Sequence, residues 1–291
     1  MKILPFKIPK TSKQSFNLQI DSQKYFYDYL HQHPEVQITL IYKGEGKIIV
    51  GDYIGQFKPG DIYLIGPNLP HVFRNDPKYY DPDSAENVHS ISVFFVWSSF
   101  GQQFLNLPES THLSEFSRIS ETGLKIVNET RDKVVTILEK MFQVEGMERL
   151  ILLLQLLDIL STSTDIQHLA SSGVYSDFNE LDGKRLDAVY RFTMSEYHRK
   201  INLREVATVA SMTENSFCRY FKRRTRKSYI DFLNEIRIGQ ACKLLQQDDY
   251  SISQVCFEVG FSNLSNFNRK FKEINGCTPS DFRKHQNKAS A

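Results

Sequence analysis

The segment FCRYFK, Phe217 to Lys222, recurs 50 residues later as FNRKFK, Phe267 to Lys272. The same offset relates Val209 to Val259 and Asp231-Phe232 to Asp281-Phe282 without a gap. A fixed internal period means that one supersecondary unit is used twice. In each copy two Phe stand four apart and share one side of a helix, while an Arg falls on another side. The last third of the chain is therefore expected to fold as two similar helical units.

Their local signals agree. Asn202 is placed to cap a short helix over LREVATVA, Ser211-Met212 to turn the chain, and Thr213 to cap the next helix. That helix carries Phe217 and Phe221 on its buried side and Asn215, Cys218, Arg219 and Lys222 on another. Arg223, Arg224, Arg226 and Lys227 continue as a basic cluster suited to phosphates. A helix over Ile230 to Gln246 follows, roughly 25 Å long at 1.5 Å per residue. The second unit repeats the scheme: a helix over Ile252 to Val259, a Gly260-Phe261 turn, and a helix capped by Ser262 or Asn263. Its free side holds Ser265, Asn268, Arg269 and Lys272, and Leu264 near its start is placed for apolar contact with a thymine methyl. With a first helix over Arg185 to His198, seven helices are expected.

Charge names the partner class. Lys184 to Lys288 carries 20 Lys+Arg against 11 Asp+Glu, a net of +9, whereas Met1 to Gly183 carries 16 against 23, a net of −7. Such a split marks a basic nucleic-acid-binding domain joined to a domain with another task. Helix-turn-helix units with basic free faces are expected to read double-stranded DNA. The four cysteines lie in the basic part without a CxxC pair and read as free thiols of a reducing compartment. MKILPFKIPK lacks the apolar run of a signal peptide. The apolar stretch Leu150 to Leu160 is too short to span a bilayer. A cytoplasmic protein without a membrane partner is expected.

From Phe16 to Trp97 the apolar runs are short and bounded by turn residues: VQITLIY, KIIVGDYIGQF, DIYLIG and ISVFFVW. Strands at this spacing indicate a sandwich or barrel. His31-Gln32-His33-Pro34-Glu35, Gly44-x-Gly46, Pro59-Gly60-Asp61 and Pro67-Asn68-Leu69-Pro70-His71 resemble the landmarks of a cupin domain. In that family two histidines, a glutamate four positions after the second, and a later histidine often hold a metal. The glutamate position is Gln37 here, and an amide is a poorer ligand than a carboxylate, so neither metal nor cofactor is expected. His31, His33, Gln37 and His71 are instead expected to meet in the barrel and hydrogen-bond a small-molecule effector. Tyr42, Tyr53 and Tyr63 are either stacking surface for a ring or core, and Arg74 either pairs with an anion or is solvated.

Asn128 to Ser161 reads as two antiparallel helices separated by Gly146. Val134, Val135, Leu138, Met141 and Phe142 mark the apolar face of the first. In LILLLQLLDIL, Leu150, Leu153, Leu154, Leu157 and Leu160 cover one face, and Ile151, Leu152, Leu156 and Ile159 make much of the remainder apolar. One face packs on the barrel, and the other needs cover from a second copy or from the basic domain. A homodimer is the expectation. Ser161 to Gly183 is polar and small-residue rich and reads as a linker with one helical turn at most.

The basic part resembles the AraC/XylS family of transcriptional regulators over about Lys184 to His285. The pattern that carries the resemblance is I252…V255…V259-G260-F261…F267-x-R269-x-F271-K272…G276-x-T278-P279-S280-x-F282-R283. Cys256 stands where the family usually has Ala, and Thr225-Arg226-Lys227-Ser228 lacks a glycine often found there. The resemblance implies base-facing roles for Asn215, Cys218, Arg219, Leu264, Ser265, Asn268 and Arg269, with Lys222, Arg223 and Lys272 also on the DNA side. It implies RNA polymerase as a further partner, and a cupin sensor is a common companion of such a domain.

The expected architecture is two-domain α+β: a cupin-like β-barrel sensor over residues 1–127, a helix pair over 128–161, a linker over 162–183, and an all-α double helix-turn-helix domain over 184–286. The expected function is effector-responsive transcription regulation, not enzymatic. The alternatives are a metal-dependent cupin enzyme with an accessory DNA-binding domain, and a sequence-independent architectural DNA binder.

Overall fold

The computed structural model describes residues 15–171, 180–225, 227–246 and 250–289, with side chains excepted at 180–183 and 285–289. Arg226 of the basic cluster and residues 172–179 of the expected linker lie outside that set. The chain divides into two compact units, one ending at Glu180 and the other beginning at Leu181.

Among the described residues of the first unit nine strands alternate with turns: β1 (Asn17–Gln23), β2 (Val36–Lys43), β3 (Gly46–Val50), β4 (Tyr53–Phe57), β5 (Ile62–Ile65), β6 (His71–Asn75), β7 (Val88–Phe95), β8 (Leu124–Ile126) and β9 (Ile166–His168). They pair as a six-stranded sheet, β1-β7-β2-β5-β8-β9, and a three-stranded sheet, β4-β3-β6, antiparallel throughout. The side-chain period of two sorts each strand of the larger sheet into two faces. Val36, Ile38 and Leu40 of β2, Ile62 and Leu64 of β5, and Ile91, Val93 and Phe95 of β7 belong to one core cluster. Ile41, Tyr63 and Ile65 point the other way and join Ile48, Val50, Phe57 and Phe73 of the small sheet in a second cluster. The space between the sheets is the interior that the turn-bounded runs predict.

Helices cover the outer face. α1 (Gly101–Leu105) and α2 (Thr111–Ser120) precede β8, and α3 (Asn128–Met141) and α4 (Gly146–Thr162) follow it. Val134, Leu138 and Met141 of α3 and Leu152, Leu153, Leu156, Leu157 and Leu160 of α4 share the outer core cluster with the sheet. Gly146 has φ +61°, a left-handed conformation that opens α4 after the turn. The packed face of α4 differs from the expected one by part of a turn. Leu150 and Leu154 are only partly covered, while Leu152 and Leu156 are buried. The cause is that α4 meets both the sheet and α3 and so needs a broader apolar arc.

The expected linker over 162–183 requires a correction at its start. β9 pairs with β8 through Ile126↔Ile166, Lys125↔Gln167 and Leu124↔His168 and closes the edge of the large sheet. Leu169 and Ala170 then donate backbone hydrogen bonds to Gly123 and Thr122, and the Ser171 amide donates to Asp52. A three-residue strand in a polar segment gives no periodic signal, and the unpaired edge of β8 supplies its hydrogen bonds.

The second unit holds seven helices among its described residues: α5 (Glu180–Glu196), α6 (Leu203–Val209), α7 (Glu214–Thr225), α8 (Tyr229–Leu245), α9 (Ile252–Glu258), α10 (Leu264–Asn275) and α11 (Pro279–Ala289). Caps sit where the sequence places them. Asn202 accepts from the Glu205 amide, Thr213 from Ser216, and Asn263 from Asn266. Ser251 and Gln254 form a reciprocal capping box at the start of α9. α8 serves both halves. Phe232 packs against Tyr190 and Phe221 on one side, while Ile238, Ala241 and Leu245 pack with Val255, Phe261, Phe267 and Phe271 on the other. The four cysteines are free thiols. No helix of the described residues is long and apolar enough to cross a membrane.

Candidate effector pocket and nucleic-acid interface

The interior of the first unit is polar where the strands carry polar residues at inward positions. Gln37 and Thr39 on β2, Ser90 and Ser92 on β7, and Gln19 and Asp21 on β1 line a cavity of about 400 Å³. Strand register arranges them in rows: Gln37 stands opposite Phe94, Thr39 opposite Ser92, and Ser92 opposite Gln19. One further step along, Asp21 faces Ser90. Burial raises the Asp21 carboxyl, partly offset by hydrogen bonds from Gln19 and Ser90. The rim is aromatic, with Tyr25, Tyr27, Tyr29 and Tyr80 among the lining residues. The rings of Tyr25 and Tyr80 meet at 4.6 Å between centroids, tilted by 34°.

Three histidines close one end. His31 and His71 exchange backbone hydrogen bonds of 3.1 and 2.9 Å, which brings their rings to 4.3 Å. The His33 ring lies 5.0 Å from that of His71. The available ligand atoms of His31, His33 and His71 all fall within 4.8 Å of one another. Each Nδ1 lies against a backbone carbonyl: His31 on Tyr29 at 2.9 Å, His33 on Glu35 at 2.9 Å, and His71 on Leu69 at 2.8 Å. The Gln37 Oε1 sits 3.2 Å from Nε2 of both His33 and His71. Its amide nitrogen donates to Thr39 Oγ1 at 2.6 Å, and Thr39 continues to Ser92 at 2.8 Å. Burial holds all three imidazoles below their ordinary pKa, His31 at about 4. They are neutral near pH 7.

His31, Gln37 and His71 face the cavity, while His33 stands behind them against Phe94 at 5.6 Å. Sequence reasoning missed Gln19, Asp21, Thr39, Ser90 and Ser92. Their alternation with Ile38, Leu40, Ile91 and Val93 was the available signal. The tyrosines singled out in the sequence lie elsewhere. Tyr63 is core, Tyr53 packs on the inner cluster, and Tyr42 donates to Glu139 at 2.8 Å. Arg74 is buried and donates to the Asp28 carbonyl, which corrects the solvated alternative.

In the second unit the repeated helices present matching faces. Phe217 and Phe221 of α7 and Phe267 and Phe271 of α10 are fully buried. Asn215, Cys218, Arg219, Lys222 and Arg223 are exposed on α7, as are Leu264, Ser265, Asn268, Arg269 and Lys272 on α10. Arg219 and Arg223 border a concavity with Ser216, Met212, Tyr220 and Arg185. Arg185 comes from α5 and carries no sequence signal linking it to the repeat. Arg269 donates to Asn266 Oδ1 at 2.9 Å and meets Glu273 at 3.4 Å.

Comparison with known proteins places both units. Residues 18–87 match the family described as AraC-like ligand binding domain, and residues 206–285 match a helix-turn-helix domain. The chain carries an AraC-type helix-turn-helix domain and an AraC-like ligand-binding domain, and its relatives are AraC-family transcriptional regulators. It is similar to the HTH-type transcriptional regulator YdeC of Bacillus subtilis, with 22% identity over 263 residues, 88% of this chain and 86% of the relative. It is also similar to the arabinose operon regulatory protein of Salmonella typhimurium, with 25% identity over 250 residues, 84% and 82% of the two chains. The Msm operon regulatory protein of Streptococcus mutans is 21% identical over 255 residues, 85% of this chain and 83% of its own. With these two domains the chain is a DNA-binding transcription regulator with an N-terminal ligand-binding domain.

Proposed function

We propose that this regulator reads a specific DNA site with the exposed faces of α7 and α10 and responds to a small polar effector held between the sheets of its first unit. The observation that carries the reading is the repeated helix. Arg219 and Arg269 are exposed at the same place in two copies whose Phe anchors are buried alike. An Arg so placed contacts guanine O6 and N7, while Arg223 and Lys272 at the margins suit phosphates. Asn215 and Cys218 are replaced by Ser265 and Asn268 in the second copy, so the two helices select different bases and the half-site is asymmetric. The cavity, lined by amides, hydroxyls and tyrosines, fits a polar ligand of drug-like size or smaller.

The named relatives are transcription regulators, which favours a sensor over an enzyme for the histidine end of the cavity. Free thiols suit the reducing cytoplasm, where the bound regulator would act on RNA polymerase. A homodimer through α4 is part of the proposal. Met147 and Ile151 of that helix are 69% and 48% exposed, an apolar pair that a second copy would cover.

The test is genome-wide mapping of sites bound by the full chain, followed by a reporter driven from the strongest site. Gln19→Trp fills the cavity from a partly exposed strand. It should abolish the response of the reporter to the inducing compound and leave DNA affinity unchanged. An unaltered response would reject the cavity as the effector site. Binding to random DNA as tight as to the mapped sites would reject specific readout.

A further inference from the structure

We propose that the concavity between α5 and α7 seats the DNA backbone, and that Arg185 makes a phosphate contact of its own from outside the repeated helices. Arg185 can do so only if the chain binds DNA as proposed above. Three guanidiniums border the concavity, those of Arg185, Arg219 and Arg223, together with Met212, Ser216 and Tyr220. Among the described residues none that lines it is acidic, and none of the three cations has an ion pair. Asp187, two residues along α5 from Arg185, is engaged by Arg191 at 2.9 Å.

The second copy supplies the contrast. Fifty residues on from Arg185, Arg219 and Arg223 stand Glu235, Arg269 and Glu273. Three positive charges in the first copy become one positive and two negative charges in the second. There the charges are satisfied within the fold. Glu235 takes Lys227 at 2.9 Å, and Glu273 takes Arg269 at 3.4 Å and Lys270 at 3.1 Å. Arg269 and Glu273 are an opposite-charge pair at a spacing of four, which supports a helix. Arg219 and Arg223 are a like-charge pair at the same spacing, which weakens one. An anion from outside the fold removes that repulsion.

The chemistry of the concavity selects phosphate. A guanidinium stays charged and offers a planar fork to two phosphate oxygens. Ser216 Oγ accepts from Thr213 Oγ1 at 3.0 Å, which leaves its own proton to donate. Met212 and the buried Tyr220 keep part of the lining apolar, and charge interactions strengthen where water is displaced. Arg219 belongs both to the concavity and to the base-reading face. A backbone held by Arg185 and Arg223 therefore flanks the groove that α7 enters. With Glu235 and Glu273 at the matching places, the second copy has no equivalent grip and serves mainly for selection.

The experiment uses the full chain and fluorescence anisotropy over a series of potassium chloride concentrations, on a mapped site and on random duplex. Arg185→Ala should lose about five- to tenfold in affinity on both, since a phosphate carries no sequence. The plot of log affinity against log salt should become shallower by about 0.9 for each chain on the DNA. Misfolding lowers the active fraction without changing that slope, so a merely structural role for Arg185 leaves it in place. Arg185→Gln, which keeps most of the stem, repeats the measurement should the alanine variant fold poorly. A neutral methylphosphonate at successive backbone positions of the mapped site then locates the contact. At one position, beside the bases whose preference Arg219→Ala relaxes, wild type should fall to the affinity of Arg185→Ala, and the variant should lose nothing further. An unchanged slope, or a dependent position beside the bases read by Arg269, would overturn the contact. Either result leaves the preference of wild type for mapped over random DNA standing, and loss of that preference leaves the random-duplex arm intact.

Discussion

Single residues show where sequence reasoning is strong and where it stops. Gly260 was legible as a turn residue, because it follows a short helix and precedes Phe261. Its second constraint was not legible. At φ +87° the chain passes so close to the end of α5 that an added Cβ would lie 2.3 Å from the Tyr197 carbonyl oxygen. The neighbouring Arg237 explains that approach. It reaches from α8 to donate to the Tyr197 and Arg199 carbonyls at 2.8 and 2.7 Å, and its guanidinium lies 5.6 Å from the Phe261 ring centroid. Gly260→Ala must therefore bear a left-handed conformation and a backbone clash together. A loss of about 1–3 kcal/mol is expected, read as a lower urea midpoint for the second unit within the full chain. Phe267→Ala tests the other kind of constraint. The ring is fully buried between α8 and α9, and its removal should cost about 3–5 kcal/mol. Equal stability in either variant would contradict the packing described.

Whole elements were legible in proportion to their periodicity. α3 and α7 to α10 carry apolar residues at three- and four-residue steps, and α6, α7 and α10 are capped by side chains of the expected type. β2 alternates from Val36 to Leu40 and β7 from Ser90 to Val93, and the same alternation locates the polar floor of the cavity. The histidines were legible as a group, but their Nδ1 partners are backbone carbonyls, which no sequence pattern records. α2 went unread because its apolar side is short, carried by Leu113, Phe116 and Ile119. β9 went unread because its reason for being is the edge of β8. At this scale the repeated helices make a differential prediction. Arg219→Ala and Arg269→Ala should each cost about 1–3 kcal/mol at a mapped site and relax preference at one base position. The positions should differ, one per helix. Arg269 is held by Asn266 and Glu273, so its fork is ordered before binding, and Asn266→Ala should weaken binding through Arg269 alone. Competition titrations against single-base variants of the site would read this, and equal loss on every sequence would reject base contact by either Arg.

At the scale of the whole molecule, charge is partitioned between a first part of net −7 and a basic part of +9, so phosphate contacts should come only from the helical unit. Each phosphate neutralised by the protein steepens the plot of log affinity against log salt by about 0.9. Arg223 is exposed beside the base-reading face of α7 and borders the concavity that Arg185 and Arg219 share. Arg223→Ala should lower affinity on specific and random DNA alike, since a phosphate carries no sequence. The change in slope then counts copies. One chain on the DNA loses one contact, and the slope should become shallower by about 0.9. A homodimer engaging two half-sites loses two, and the change should be about 1.8. Anisotropy titrations of the full chain over a series of potassium chloride concentrations separate these values. An unchanged slope would remove Arg223 from the interface. A change near 0.9 in a protein that sediments as a dimer would mean that only one of its two helical units reaches the DNA.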